Sequence, residues 1–209
     1  MHKSLSGNPI VEGIDFVAES GEITAITGPS GSGKTTLLRC IMGITQPDRG
    51  EIGLNGETYS QRDNESRRKF RLHNIGVVDQ ASQLLEDLTC AENFQLIAEM
   101  SGTNGRDSRH KAEEILGQLG MAKHAKRYPG SLSGGERQRI SVACALANNP
   151  SLIAADEPTS SLDDESAADV LELFTELAHN FAVPVVIVTH DSRVTCIANR
   201  NVRMGKKCI

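Results

Sequence analysis

The stretch that most constrains the fold is residues 23–42. Ile23 to Thr27 reads as a strand. It feeds Gly28-Pro29-Ser30-Gly31-Ser32-Gly33-Lys34-Thr35, and Thr36 to Met42 continues as a helix. The run fits G-x-x-x-x-G-K-[ST] in the context the motif requires, strand before and helix after. Glycines let backbone N–H groups converge on phosphate with no Cβ in the way. Lys34 would neutralise β- and γ-phosphates, and the hydroxyl of Thr35 would reach a magnesium ion. The bland alternative, a flexible Gly-Ser loop, does not account for Lys34-Thr35 in register with a helix. Alone, the motif says only that a nucleoside triphosphate binds.

A second phosphate-handling stretch lies about a hundred residues downstream, from Gly130 to Asp163. Ser133-Gly134-Gly135 opens a helical pattern, and a helix N-terminus with a glycine turn is an anion site. Asn148-Asn149-Pro150 then leads into an apolar run, Leu152 to Ala155, that ends in Asp156 and Glu157. A strand ending in two acids can hold magnesium and orient a water. This stretch has no lysine of its own; the lysine is upstream, at Lys34.

The remaining chain organises around these two. Ile10 to Phe16 alternates apolar and polar and predicts a strand. Glu51 to Leu54 predicts another, with Asn55-Gly56 as a hairpin turn. Gln61 to Leu72 predicts a charged surface helix. Its bases could form a nucleic-acid patch, but a solvated face suits the acidic balance better, with net charge -5 and pI near 5.7. Ile75 to Val78 predicts a buried strand followed by Gln80, which at a strand's C-terminal edge can reach the metal or the attacking water. Leu84 to Thr89 is an apolar loop that folds back as core or meets a partner. Ala91 to Met100 and Ser108 to Leu119 predict helices of a lobe inserted in the α/β core. Ala167 to Leu177 is amphipathic, and Val185 to Val188 predicts a buried parallel strand ending at Thr189-His190-Asp191. The five cysteines (Cys40, Cys90, Cys144, Cys196, Cys208) are scattered and read as reduced packing residues. No run approaches the roughly 18 apolar residues of a membrane span. The N-terminus has no signal-peptide core, which points to the cytosol.

Taken in order, these motifs resemble those of ABC-type ATPases over essentially the whole chain. Leu132 to Glu136, LSGGE, resembles the family's signature. The P-loop precedes it; Asp156-Glu157-Pro158, Ser161-Leu162-Asp163 and Thr189-His190-Asp191 follow. The resemblance implies an α/β fold: a P-loop NTPase core with a parallel sheet and flanking helices, an N-terminal antiparallel β subdomain and an inserted α-helical lobe carrying the signature. It implies one domain over 1–209, with core and β subdomain at about 1–80 and 150–209 and the lobe at about 81–149.

The resemblance further implies ATP and Mg2+ as cofactors and a head-to-tail dimer, of identical copies or of two ATPase subunits. Gly28, Pro29, Ser30, Gly31, Ser32, Gly33, Lys34, Thr35 and Thr36 would cradle the triphosphate. Ser133, Gly134, Gly135, Glu136 and Asp163 would act in trans from the other subunit. Thr35, Gln80 and Asp156 would complete the metal shell. Glu157 would be the general base, His190 would hold the γ-phosphate and water in line, and Lys34 and Gln80 complete the catalytic set. The family usually stacks an aromatic on adenine; Leu5 stands there in this chain and would cover the base by apolar contact.

The compact size and Leu84 to Asn93 look like the branch of MacB-like, lipoprotein-releasing and haem-export ATPases. That implies an integral-membrane permease partner, a peripheral position on the cytoplasmic face, no nucleic acid, and export of a hydrophobic or amphipathic cargo such as lipoprotein, peptide, antibiotic or haem. A mechanotransmitting ATPase of the cell-division type and an importer ATPase are the alternatives.

Overall fold

The computed structural model describes residues 1–5 and 8–205; the side chains of Leu5 and Asn8 lie outside the description. In chain order, β1 (Lys3–Leu5) and β2 (Asn8–Val11) form an antiparallel pair. β3 (Ile23–Thr27) leads to α1 (Lys34–Ile41). β4 (Gly53–Leu54) and β5 (Glu57–Thr58) form a second antiparallel pair, and α2 (Asn64–Asn74) and β6 (Ile75–Val78) follow. Next come α3 (Cys90–Met100), α4 (Gly105–Gln118) and α5 (Gly134–Cys144). β7 (Leu152–Asp156), α6 (Asp164–Phe181), β8 (Val185–Thr189), α7 (Ser192–Ile197) and β9 (Arg200–Arg203) complete the described chain.

The central sheet has five strands in the order β6-β7-β8-β3-β9, all parallel. The inner strands β7, β8 and β3 bury both faces, and period-two alternation divides their side chains between two cores. Ala25, Ile153, Ala155, Val185 and Ile187 point into one core with Phe174 and Leu177 of α6 and Ile140 of α5. Ile26, Leu152, Ala154, Val186 and Val188 point into the other, under Leu37, Leu38 and Ile41 of α1. The sheet's C-terminal edge therefore gathers the ends of β3, β6, β7 and β8, where ligands bind in open parallel sheets.

Two local expectations fail. The strand predicted over Ile10 to Phe16 is observed only over Asn8–Val11. Residues 14–18 keep alternating burial but belong to no strand; Ile14 exchanges backbone hydrogen bonds with Met1, and residues 15–18 have no backbone partner among the described residues. The bases of the helix predicted at 61–72 are not one solvated face. Arg67 is buried, with its Nε donating to Gly43 O at 3.2 Å and Nη1 to Gln46 Oε1 at 3.3 Å. It fastens α2 to the loop after α1.

The apolar loop resolves both ways: Leu84 packs against the larger core, while Leu85 is exposed. Cys40, Cys90 and Cys144 are buried and Cys196 is exposed. Cys208 lies outside the described residues.

Phe174 is fully buried on the α6 side of the sheet. Phe174→Ala should cost about 3–5 kcal/mol of stability. Chemical denaturation followed by circular dichroism checks this; a loss under 1 kcal/mol would contradict the packing.

Candidate functional site

Lys34 opens α1 directly after Gly33, whose φ of 93° lies in the left-handed region. A Cβ on Gly33 would stand 2.6 Å from Ile10 O, so only glycine fits between the loop and β2. The Nζ of Lys34 donates back to Gly28 O at 2.9 Å and Pro29 O at 3.3 Å, spanning the loop. Ser32 Oγ is buried there without a hydrogen-bond partner among the described residues. An orphaned hydroxyl beneath a ring of backbone donors suits a phosphate oxygen. Thr36 is half-buried, while Pro29, Ser30, Gly31 and Thr35 are exposed.

The acids come to this loop from β7. Thr35 Oγ1 donates to Asp156 Oδ1 at 3.4 Å across the gap between α1 and the end of β7. Burial raises the Asp156 carboxyl above the usual aspartate range; Thr35 and Lys34 oppose this, and the charges of Glu157 and Asp79 add to it. A cation here would offset the same repulsion. No group of three His, Cys, Asp or Glu among the described residues could hold a metal by itself. Thr35 and Asp156 thus present one hydroxyl and one carboxylate side by side at this gap.

Glu157 leaves the strand with φ 47°, so the chain turns back and its N–H bonds Val188 O at 2.8 Å. Its Oε2 accepts from Thr189 Oγ1 at 3.0 Å and from His190 N at 3.3 Å. Its Oε1 is 2.8 Å from His190 Nδ1. His190 remains exposed on its other side. Thus Lys34, Thr35, Asp156, Glu157 and His190 converge on one sheet edge. Gln80 is exposed two residues beyond β6, on the same edge.

The signature residues lie elsewhere. Ser133 caps α5: its Oγ accepts from Glu136 N at 3.2 Å while Glu136 Oε2 accepts from Ser133 N at 3.0 Å. This capping box leaves Ser133 and Gly134 exposed at a helix N-terminus. Gly135 is buried, and a Cβ on it would stand 2.8 Å from Ser166, so the glycine lets α5 approach α6. Asp163 caps α6, accepting from Ser166 N at 2.9 Å. That bond, with the Ser166 hydroxyl, holds its carboxyl below the usual range. Among the described residues no hydrogen bond or ion pair joins Ser133–Glu136 to the P-loop of the same chain. The side chain of Leu5 lies outside the described residues.

Sequence reasoning placed Arg137, Gln138 and Asp191 in the motifs but gave them no role of their own. Gln138 is buried; its Nε2 donates to Asp79 O at 3.3 Å and its Oε1 accepts from Ser82 Oγ. Arg137 pairs with Glu86. Asp191 accepts from Thr159 Oγ1 at 2.7 Å, caps α7 through Arg193 N at 2.9 Å and pairs with the Arg193 guanidinium. A polar side chain inside an apolar helix pattern was the available signal for Gln138; Asp191, next to His190, carried the signal of a helix cap.

The family model described as ABC transporter matches residues 11–160. The lipoprotein-releasing system ATP-binding protein LolD of Bacteroides thetaiotaomicron is 40% identical over 202 residues, covering 97% of this chain and 93% of that one. The ABC transporter ATP-binding protein YtrE of Bacillus subtilis is 39% identical over 191 residues, covering 91% and 83%. A solved structure described as the dimeric form of a bacterial ABC transporter cassette superposes with TM-score 0.83 at 31% identity, covering 98% of this chain and 90% of that one. A second, described as a dimeric post-hydrolysis state of a cassette bound to ADP and Pi, gives 0.83 at 32%, covering 97% and 90%.

The Arg193 bond, helped by Thr159, holds the Asp191 carboxyl down to about 2 against the cost of burial. A lowered folded-state value stabilises the fold above the unfolded value of about 3.8 and is lost as pH falls towards about 2. Asp191→Asn should lower Tm by roughly 2–4 °C at pH 7. The gap to the parent should close between about pH 4 and about pH 2 in thermal melts.

Proposed function

Because this chain belongs to the ABC transporter family, matched over residues 11–160, we propose that it is a magnesium-dependent ATPase subunit working as a head-to-tail dimer beneath a separate permease. The observation that carries the reading is the convergence of Thr35 on Asp156 and of His190 on Glu157 at one sheet edge. In this reading the loop amides of Gly28 to Thr36, with Lys34, hold the triphosphate. Thr35, Gln80 and Asp156 hold magnesium, which supplies neutralisation of phosphate charge. Glu157 takes the proton of the attacking water through a carboxylate that His190 and Thr189 keep in one orientation. His190, bonded through Nδ1, has its other ring nitrogen available to the γ-phosphate.

Dimerisation in this reading explains the distance between the signature and its own P-loop. The exposed N-terminus of α5, with Ser133 and Gly134, supplies backbone N–H donors and a positive dipole end to the triphosphate of the other copy. Asp163, at the neighbouring N-terminus of α6, faces the same interface. A two-fold axis then makes two equivalent sites. Residues 81–149 act as the lobe that carries the signature to its partner.

A groove of about 380 Å³ beside the edge strand β6 suits the permease. Val77 and Met100 stand exposed along it, 40% and 57%, with Ile97 between α3 and the strand and with Arg68 and Arg71 at its rim. An amphipathic segment with an acidic end fits such a groove. The subunit then sits on the cytoplasmic face of a membrane. The likeness to LolD proteins makes lipoprotein the favoured cargo of the complex.

Glu157→Gln should bind ATP normally, lose at least about a hundredfold in hydrolysis rate, and accumulate as an ATP-bound dimer in size-exclusion chromatography. Parental turnover in this variant would refute the general-base role. Ser133→Arg should keep nucleotide binding by the monomer and lose the ATP-driven dimer. Loss of monomer binding would refute action in trans. Capture of an integral-membrane protein by the ATP-trapped dimer tests the permease assignment.

A further inference from the structure

The N-terminus of α5 suits an anion and yet bears one. Its exposed start and its helix dipole favour negative charge, but Glu136 sets a carboxylate in the first turn. Glu136 Oε2 folds back to accept from Ser133 N at 3.0 Å, so its charge lies at the same end as the free N–H donors. The Ser133 N–H chiefly, and Arg127 with it, hold the Glu136 carboxyl below the usual glutamate range, so it is ionised at neutral pH. In the dimer proposed above, that end meets the triphosphate of the other copy. Two negative groups then face each other across one interface.

Behind Glu136 stand two residues that no motif uses, His124 and Arg127. His124 ends the short helical turn Ala122–His124 and is buried, 2% exposed. An Arg127 Nη1 lies 3.7 Å from Glu136 Oε2, and His124 Nε2 lies 3.7 Å from Glu136 Oε1. The same Nη1 is 3.3 Å from His124 Nδ1. Arginine has only donors, so Nδ1 accepts, and the proton of the neutral ring sits on Nε2, toward Glu136. Burial holds the His124 pKa below its ordinary value, which agrees with a neutral ring. The ring thus joins the guanidinium to the carboxylate, and Arg127 is the counter-charge. The guanidinium is pinned from its other side, with Nε donating to Ser131 Oγ at 3.2 Å and Nη2 to Ser131 O. The Arg127 carbonyl accepts from Cys90 N at 2.9 Å, at the start of α3.

We propose that Arg127 and His124 are positioning residues of the signature, holding and neutralising the Glu136 carboxylate so that the N-terminus of α5 can receive the triphosphate of a second copy; this rests on the signature acting in trans. Neither residue touches nucleotide. Arg127 supplies the charge, and His124 fixes the carboxylate from a site closed to water. In the single chain water screens the pair, since the side chains of Arg127 and Glu136 are 40% and 32% exposed. A second copy closing over that end removes the water and makes the offset count. Loss of Arg127 therefore acts on dimer formation. Glu136 keeps its bond to Ser133 N, but its charge is left facing the phosphates.

The test uses the full chain carrying Glu157→Gln, so that ATP is not consumed, and reads by light scattering the ATP concentration at which half the chains are dimeric. Arg127→Met keeps an unbranched stem and loses the charge; it should raise this midpoint about tenfold. Glu136→Gln keeps an acceptor for Ser133 N and loses the opposing charge. It should lower the midpoint in both backgrounds, by about threefold in the starting chain and about twentyfold in Arg127→Met. His124→Leu should raise the midpoint about threefold, and Glu136→Gln should remove that effect too. A loosened fold would not be repaired by Glu136→Gln, so the repair separates charge from structure. An unchanged midpoint in Arg127→Met, or the same shift from Glu136→Gln in both backgrounds, would overturn the proposal. A starting chain that forms no dimer with ATP would overturn the trans reading itself, and this proposal with it.

Discussion

The candidate site depends on β7 being hydrogen-bonded on both sides. β6 and β8 pair with it in parallel, and Asp156 lies opposite Val188. The ladder carries a carboxylate to the end of an otherwise apolar strand, where burial makes its charge costly and a cation favourable. The turn at Glu157 depends on the same pairing. Its left-handed φ costs about 1 kcal/mol for a non-glycine residue. The bond from its N–H to Val188 and three bonds to its carboxylate from Thr189 and His190 hold it there. The two adjacent acids thereby point to different partners, Asp156 to Thr35 and Glu157 to the end of β8. That division suits one to a metal and the other to a proton.

A second mechanical link runs from this edge to the exposed start of α5. Gln138 grips the loop after β6 at Asp79 and Ser82, and Arg137 grips it at Glu86. Both side chains lie within about one and a half turns of Ser133 on a single helix. Asn93 holds the next part of the loop, donating to Leu85 O at 3.0 Å and Leu88 O at 3.1 Å. A displacement of the loop at Gln80 therefore moves the N-terminus of α5 with it, since a buried side chain bonded at both ends is a stiff connection. The groove beside β6 is lined by residues of two of these helices, α3 and α5.

Much of this was legible in the sequence because local chemistry decides it. The glycines and Lys34, the capping pattern at Ser133, and the apolar runs ending in acid or His190 have few conformational alternatives. β6 was predicted to its last residue, and the Asn55-Gly56 turn appears with positive φ at both positions. What escaped depends on contacts between distant residues. Ile10 to Phe16 has the alternation of a strand, yet alternation reports only which side is buried. Pairing requires a neighbour, and residues 15–18 have none for their backbone among the described residues. Arg67 looked solvated because its carbonyl partners, at Gly43 and Arg62, come from the fold of the preceding loops. β9 was missed because its exposed Arg200 and Arg203 hide a strand whose pairing with β3 is set by the sheet.

The two ends of the sheet are not independent, because α1 touches both. Lys34 is its first residue, and Leu37 and Ile41 lie one and two turns further on, in one core with Leu152 and Val186 of the sheet. A helix this short is positioned by its packing more than by its own hydrogen bonds. That packing therefore sets the base from which Lys34 reaches the carbonyls of Gly28 and Pro29.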